Sequence, residues 1–253
     1  MENDIIWFGE VIDSLDSLTK PREIKREWDG NEKDSMLKEE FKLIIRDSHG
    51  EWRFSEANSE YSLCPTYSRI IPVPEGISDT VLLHASRFRV QGRIPILSNI
   101  FRGNALMRSG QPLVGLTQKR CVQDEKLIEA MKEAASTSEE AKKHSLVIVD
   151  ARPSSSAFAN TLIGAGIERL ECYEDSERIY LNLENIHTIR ESHDRLSQQI
   201  KLISRSDGNN RALWIELEEG CAWLDHLRGI LEGVGRILEA LLQNNTHVLV
   251  HGS

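Results

Sequence analysis

Apolar residues recur with two different periods in the C-terminal half of the chain, and these predict alternating strands and helices. Short apolar runs at 146–149 and 247–250 suit buried strands of a parallel sheet. The segment 178–187 alternates apolar and polar positions, which predicts another strand. Helical spacing covers 187–203, and a longer apolar stripe covers 223–242. Strands that alternate with helices predict an α/β fold with a central, mainly parallel sheet flanked by helices.

The N-terminal part predicts a different organisation. Apolar residues of 5–18 recur at helical spacing, whereas 19–35 is polar and charged, as linkers are. We therefore predict a helix and a linker within 1–45, and one domain that covers 46–253.

Composition narrows the function. The net charge of -9 over 253 residues argues against a nucleic-acid partner, because such proteins carry a basic excess. The sequence has no secretory signal and no apolar run long enough to span a bilayer, so we expect a cytoplasmic protein. The cysteines are widely separated and form no CxxC pair, which leads us to expect neither a metal site nor a cofactor.

One stretch departs from the acidic balance of the chain. Segment 84–121 carries seven lysine and arginine side chains and no aspartate or glutamate. Such an island predicts either an anionic partner or acidic neighbours from elsewhere in the fold.

Two charged residues, Asp150 and Arg152, lie at the end of a predicted strand and could act as an acid and a phosphate clamp. A structural ion pair or a strand-end turn fits these two residues better.

Several sequence segments together carry a family likeness. They run in order from about Trp52 to the end of the chain, and together they resemble successive segments of the myotubularin phosphatase domain. These segments are YSLCPTYSRIIPVPEGISD, FRVQGRIPILS, MRSGQPLVG, KRCVQDEKLIEAM, VIVDARPSSSAFAN, ENIHTIRESHDRL and CAWLDHLRGILEG. The first predicted helix resembles the last helix of the family's PH-GRAM domain. The resemblance thus makes 1–45 a PH-GRAM remnant plus linker, and 46–253 a phosphatase-like domain truncated at the catalytic loop.

The resemblance has a direct implication for activity. Active myotubularins remove the 3-phosphate of phosphatidylinositol 3-phosphate and 3,5-bisphosphate with the cysteine thiolate of a His-Cys-x5-Arg loop. In this chain His251 matches the histidine, Gly252 occupies the nucleophile position and Ser253 follows. Glycine has no side chain and forms no phosphoenzyme, so no catalytic residue is assigned. The segment MRSGQPL also resembles the catalytically inactive subgroup.

The function that the resemblance implies is a pseudophosphatase. It would act as a regulator or adaptor of an active myotubularin in a heterodimer, peripheral to endosomal or other intracellular membranes that carry phosphoinositides. The alternative is an active 3-phosphatase whose catalytic loop is truncated or misread in this sequence. His187 and His251 could form a pair of metal ligands, but no carboxylate or cysteine cluster in the sequence supports a metal, so we expect His251 to bond to the backbone of the loop.

Three residues match those that line the headgroup pocket of active members: Asn160, Asn185 and Ile186. They imply that a substrate-binding pocket survives. The alternative is that both asparagines cap turns and that the isoleucine packs in the core. Thr161 and Ile163 replace two lysines of the active pattern, which weakens the case for tight binding of an anionic headgroup.

Overall fold

The computed structural model describes residues 30–137, 144–205, 211, 214–215 and 222–252, so the predicted helix 5–18 and Ser253 lie outside the described residues. The helices are α1 Gly30–Ile45, α2 Asp79–Ser86, α3 Val122–Ala135, α4 Ser154–Leu162, α5 Ile186–Arg205 and α6 Trp223–Leu242. The strands are β1 Trp52–Ser55, β2 Ile71–Pro74, β3 Ile96–Phe101, β4 Asn104–Arg108, β5 Ser145–Asp150, β6 Ser176–Tyr180 and β7 Thr246–His251.

A five-stranded sheet forms the centre of the fold. Its strand order is β3-β4-β7-β5-β6, and every pair is parallel except β3 with β4. Strand β7 therefore lies in the middle, as its unbroken apolar run predicts. A separate antiparallel pair, β1 with β2, packs beside this sheet through the common core. The predicted α/β fold with a central, mainly parallel sheet is confirmed.

The two faces of the sheet have cores of different size. Leu146, Ile148 and Leu249 point into the larger core, which α1, α2 and α3 cover. Alternate residues such as Val147 and Val248 point to the opposite face, where α6 covers them. This alternation follows from the two-residue period of a strand, and it explains why both faces of β7 are apolar.

Two boundaries differ from the sequence-based expectation. Helix α1 begins at Gly30, so the predicted linker 19–35 is wrong over its last six residues. Helix α1 is rich in charged residues, and it packs against the domain through the buried side chain of Phe41. This ring contacts Trp52 and Phe54 edge-on. Strand β6 runs from Ser176 to Tyr180 instead of over 178–187, because Asn182 adopts a positive φ of 55° and helix α5 begins at Ile186. The domain boundary between 45 and 46 stays a prediction.

Helix α6 carries more apolar surface than the sheet covers. Gly233 lies against Leu181, and Ala240 and Leu241 are buried on the sheet side. Another row on the same helix is exposed and repeats at spacings of three and four residues: Leu224, Leu227, Leu231, Val234 and Leu238. Within the described residues, no helix combines the length and apolar character needed to cross a bilayer.

Candidate functional site

The predicted site residues gather at the carboxyl edge of the sheet, where the parallel strands end. His251 is the last residue of β7 and lies level with Asp150 of β5. The Ala151 amide donates to the carbonyl of His251 at 2.8 Å, and the Leu183 amide donates to the carbonyl of Ala151 at 2.8 Å. The Ser109 amide after β4 donates to Val250 at 3.0 Å. Ligands of open parallel sheets bind at this edge.

A buried ionic network supports this edge. Arg89 binds Asp124 in a bidentate manner, with Nε–Oδ1 at 2.8 Å and Nη2–Oδ2 at 2.6 Å. Its Nη1 donates to Glu168 Oε1 at 2.6 Å. The Tyr173 hydroxyl completes the cluster by donating to Asp124 at 2.9 Å. These ion-pair side chains are fully buried, so their charges persist only because they are mutually compensated.

The network reaches His251 through Glu168. The imidazole Nε2 lies 3.0 Å from Glu168 Oε2, and because a carboxylate only accepts, Nε2 carries the donated proton. Burial by itself raises the pKa of Glu168, but the adjacent His251 and Arg89 outweigh burial and hold that pKa below its usual range. The expectation that His251 bonds to the loop backbone is wrong: its partner is a buried carboxylate. Its Nδ1 is buried and has no partner among the described residues.

A second polar cluster lies at the end of β5, where Asp150 is in register with His251. Arg152 binds Asp150 with Nε–Oδ1 at 2.9 Å and Nη2–Oδ2 at 2.7 Å, which confirms the structural ion pair. The same guanidinium donates to the carbonyl of Gly166 at 3.0 Å and to Gln111 Oε1. Asn160 Nδ2 donates to that Gln111 oxygen at 3.2 Å. The cluster therefore ties Asn160 to the end of β5.

Asn185 and Ile186 lie at the start of α5, two and three residues beyond Leu183. Asn185 Oδ1 accepts the amides of His187 at 2.9 Å and Thr188 at 3.1 Å, so this side chain caps the helix. Ile186 is 63% exposed, and the alternative that it packs in the core is wrong. Asn185 and Ile186 thus face solvent near the edge, whereas Asn160 is half-buried. Whether the three contact a headgroup stays a prediction.

Gly252 follows β7 directly, and its backbone does not require a glycine. Its φ lies outside the left-handed region, and among the described residues a Cβ built there would meet only the Cβ of Ala151, at an ordinary 3.5 Å. The missing side chain is therefore not a demand of the fold at this position. Gly92 is the opposite case, with φ +68° and a Cβ that would lie 2.0 Å from the carbonyl oxygen of Leu63.

We expect Gly252→Ala to change the free energy of unfolding by less than about 1 kcal/mol. Gly92→Ala is expected to cost at least about 2 kcal/mol, because the new methyl group meets backbone in a left-handed conformation. Urea unfolding of both variants measures the difference. A Gly252→Ala variant as unstable as Gly92→Ala would show that the turn itself requires glycine.

Some of the cations in the basic island 84–121 pair with acids in the fold, and others do not. Arg89 is fully paired inside the fold, and Arg120 binds Glu125 at 2.8 Å, so acidic neighbours account for these two. Arg108 and Lys119 are exposed and form no ion pair in the described part of the chain. The expectation of a buried acidic neighbour is thus confirmed for part of the island only.

The sequence-based reasoning missed Asp124 and Glu168. Both are buried acids, and Arg89 had been only one of seven similar cations. A buried acid within an otherwise apolar helical stripe, as at Asp124 beside Leu127 and Ile128, was the available signal. In the described part of the chain, no group of three or more histidine, cysteine, aspartate or glutamate side chains is arranged to hold a metal ion.

The fold is an α/β domain in which His251 and Asp150 lie at the carboxyl edge of the central parallel strands. Comparison with known proteins identifies the family: residues 16–253 match the myotubularin-like phosphatase domain, and the chain belongs to this family. It is 36% identical over 204 residues to a Gallus gallus phosphatidylinositol-3,5-bisphosphate 3-phosphatase, MTMR2, with 80% of this chain and 34% of the relative covered.

Other myotubularin relatives match this chain with similar identity and coverage. Phosphatidylinositol-3-phosphatase myotubularin-2 of Arabidopsis thaliana is 33% identical, with 96% of this chain and 35% of the relative covered. Myotubularin-related protein 9-like of Bos taurus is 32% identical, with 84% and 38% covered. The chain spans about a third of the length of these relatives.

Proposed function

We propose that the protein acts in phosphoinositide metabolism as a catalytically inactive myotubularin, and that it regulates or recruits an active member of the family. The proposal rests on Gly252, which the resemblance aligns with the nucleophile position and whose backbone would accept a Cβ. The relatives named as phosphatidylinositol 3-phosphatases support phosphoinositides as the ligand class. We propose that the protein works at the cytoplasmic surface of endosomal or other intracellular membranes.

The absence of a nucleophile has a large chemical consequence. Hydrolysis of phosphate monoesters is among the slowest uncatalysed reactions, so binding alone gives little turnover. Loss of the nucleophile from a well-studied protease costs about a millionfold in rate. The buried carboxylate of Glu168 is already committed to Arg89 and His251 and does not substitute for the nucleophile.

The proposed ligand contacts are Asn160, Asn185 and Ile186. Asn185 is exposed at the N-terminus of α5, where amide groups and the helix dipole favour an anion. Asn160 is held near the edge by Gln111. Ile186 offers an apolar surface to the inositol ring or to the glycerol backbone of a lipid.

We expect the protein to bind vesicles that contain phosphatidylinositol 3-phosphate and to release no phosphate from them above a blank. Asn185→Asp keeps an oxygen that caps α5 but adds a negative charge beside an anionic headgroup, so affinity should fall about tenfold. Asn99→Asp makes the same charge change on strand β3, at the far side of the sheet, and should bind as the unmodified protein does. Phosphate release and vesicle sedimentation are measured for all three proteins. Phosphate release that disappears in Asn185→Asp alone would show that the protein is an enzyme.

The regulatory role has its own test. Mixing the protein with an active myotubularin should yield a complex on size-exclusion chromatography and should change the turnover of phosphatidylinositol 3-phosphate by the partner. An unchanged turnover and separate elution of the two proteins would contradict the role of regulator or adaptor.

The second candidate is an active phosphoinositide 3-phosphatase. The observation that favours it is the room for a Cβ at Gly252, 3.5 Å from the Cβ of Ala151, together with relatives named as phosphatases. Sequencing the transcript across codon 252 separates the two candidates, since a cysteine codon followed by an arginine codon six positions later would restore the thiolate and its clamp.

A further inference from the structure

A short protrusion rises from the carboxyl edge of the sheet. The chain leaves this edge at Pro153, forms α4, and returns to the edge where the carbonyl of Gly166 accepts from Arg152 and Glu168 meets His251. We call residues 153–166 the α4 protrusion. Both ends of α4 therefore adjoin the edge that carries the candidate site.

The outer surface of the α4 protrusion is apolar. Phe158 and Leu162 are one helical turn apart and are 67% and 63% exposed, and Ile163 is 81% exposed. The opposite side of α4 buries Ala157 and Thr161, which fixes the helix orientation. Leu116 of the neighbouring loop, 70% exposed, extends the same surface. The two segments touch, because the Gly115 amide donates to the carbonyl of Ala165 at 2.9 Å.

Cations accompany this apolar surface. Lys119 follows Leu116 by three residues, in a loop that is exposed from 116 to 120, and it forms no ion pair within the described residues. Arg108 ends β4 on the same edge and is also exposed and free of ion pairs there. The acids at the ends of β5 and the α4 protrusion, Asp150 and Glu168, are buried and internally compensated. The exposed charges next to the α4 protrusion and the Leu116 loop therefore include the cations Lys119 and Arg108, whereas Glu184 is the exposed acid beside Asn185.

We propose that Leu116, Phe158, Leu162 and Ile163 form a membrane-docking surface that inserts into the interfacial layer of an anionic lipid bilayer, with Lys119 and Arg108 at the lipid phosphates. Large exposed apolar side chains flanked by cations are the combination that binds the bilayer interface. The proposal rests on the proposed function, because it brings the candidate headgroup site to the membrane. It differs from headgroup recognition, since it requires anionic lipid but no phosphoinositide.

The test compares vesicles of phosphatidylcholine, of phosphatidylcholine with phosphatidylserine, and of the latter mixture with phosphatidylinositol 3-phosphate. The full chain should bind phosphatidylserine vesicles more tightly than neutral ones. A Phe158→Ser, Ile163→Ser double variant should lose about tenfold or more in partitioning to every vesicle type. Lys119→Glu should weaken binding to the anionic vesicles only. Phe101→Ser, which removes an exposed aromatic side chain at the opposite end of the sheet, should bind as the unmodified protein does.

The outcomes separate this proposal from the proposed function. Binding to phosphatidylserine vesicles without an added effect of phosphatidylinositol 3-phosphate would support the docking surface and contradict headgroup recognition. A double variant that keeps its vesicle binding overturns the docking surface. A double variant that keeps vesicle binding but loses its complex with an active myotubularin overturns it too, and makes this surface a protein interface.

Discussion

Replacing Arg89 by methionine is expected to lower the free energy of unfolding by about 3–5 kcal/mol. The change leaves Asp124 and Glu168 buried without their cation, while methionine fills most of the volume of the arginine stem. Arg89→Lys keeps the charge but cannot bind Asp124 through two parallel bonds, so its effect should be intermediate. Urea unfolding monitored by circular dichroism gives the three free energies.

The matched control is Arg169→Met. Arg169 binds Glu171 at 2.7 Å, but this pair is exposed and screened by solvent, so its loss should cost much less stability than the loss of Arg89. Equal effects at the two arginines would mean that the buried network contributes no more than a surface pair. If Arg89→Met fails to fold, the ordering of Arg89→Lys against the control decides the matter.

The second large expected effect is a loss of stability in mild acid that depends on His247. This side chain is fully buried on β7, accepts the Ala105 amide on Nδ1 at 2.9 Å, and has its Nε2 3.1 Å from His144 Nδ1. Burial, and to a lesser degree His144 and Lys132, lower the pKa of His247 from 6.5 to about 3. The folded protein therefore keeps this imidazole neutral where the unfolded chain protonates it.

The sign of the effect follows from proton uptake. Between pH 6.5 and about 3 the unfolded state binds the extra proton, so acidification favours unfolding by up to about 1.4 kcal/mol per pH unit. The fall from pH 6.5 to pH 5 should reach about 2 kcal/mol. Glu168 has a lowered pKa and adds its own loss of stability only as the pH falls below its unfolded value of 4.5, which lies outside the range from pH 7 to pH 5 in which His247 is tested.

Urea unfolding of the unmodified protein and of His247→Gln between pH 7 and pH 5 measures how much His247 contributes to the pH dependence of the free energy of unfolding. Glutamine removes the titrating group and keeps an oxygen that can accept the Ala105 amide, so the variant should show a flatter pH profile. Parallel profiles of the two proteins over this window would contradict a buried neutral imidazole.

Local sequence patterns were sufficient for the elements around the central strand. The apolar stripe predicts a helix over 223–242, and α6 has these same bounds. The apolar run 247–250 predicts a buried strand, and β7 extends it by one residue at each end. These elements follow from local sequence because periodicity along one element reports which of its faces is buried.

The sequence pattern wrongly predicted a linker at 30–35, because the charged composition of this stretch gave no sign that Phe41 packs the helix against the core. Charged residues dominate this part of α1, and the helix owes its packing to Phe41 against the aromatic side chains of β1. The spacing of apolar residues within one segment does not predict which other strand or helix that segment packs against. A tertiary contact therefore decided that this stretch is helical.

The sequence by itself determined the family-like order of segments, the α/β class and the glycine at position 252. Only the tertiary structure decided that Glu168 lies between Arg89, 79 residues earlier, and His251, 83 residues later. Tertiary structure also decided that Asn185 caps a helix while Asn160 bonds to Gln111. The physical reason is that buried charges and amides are stable only beside complementary groups, and the chain brings those groups together from distant segments when the sheet forms.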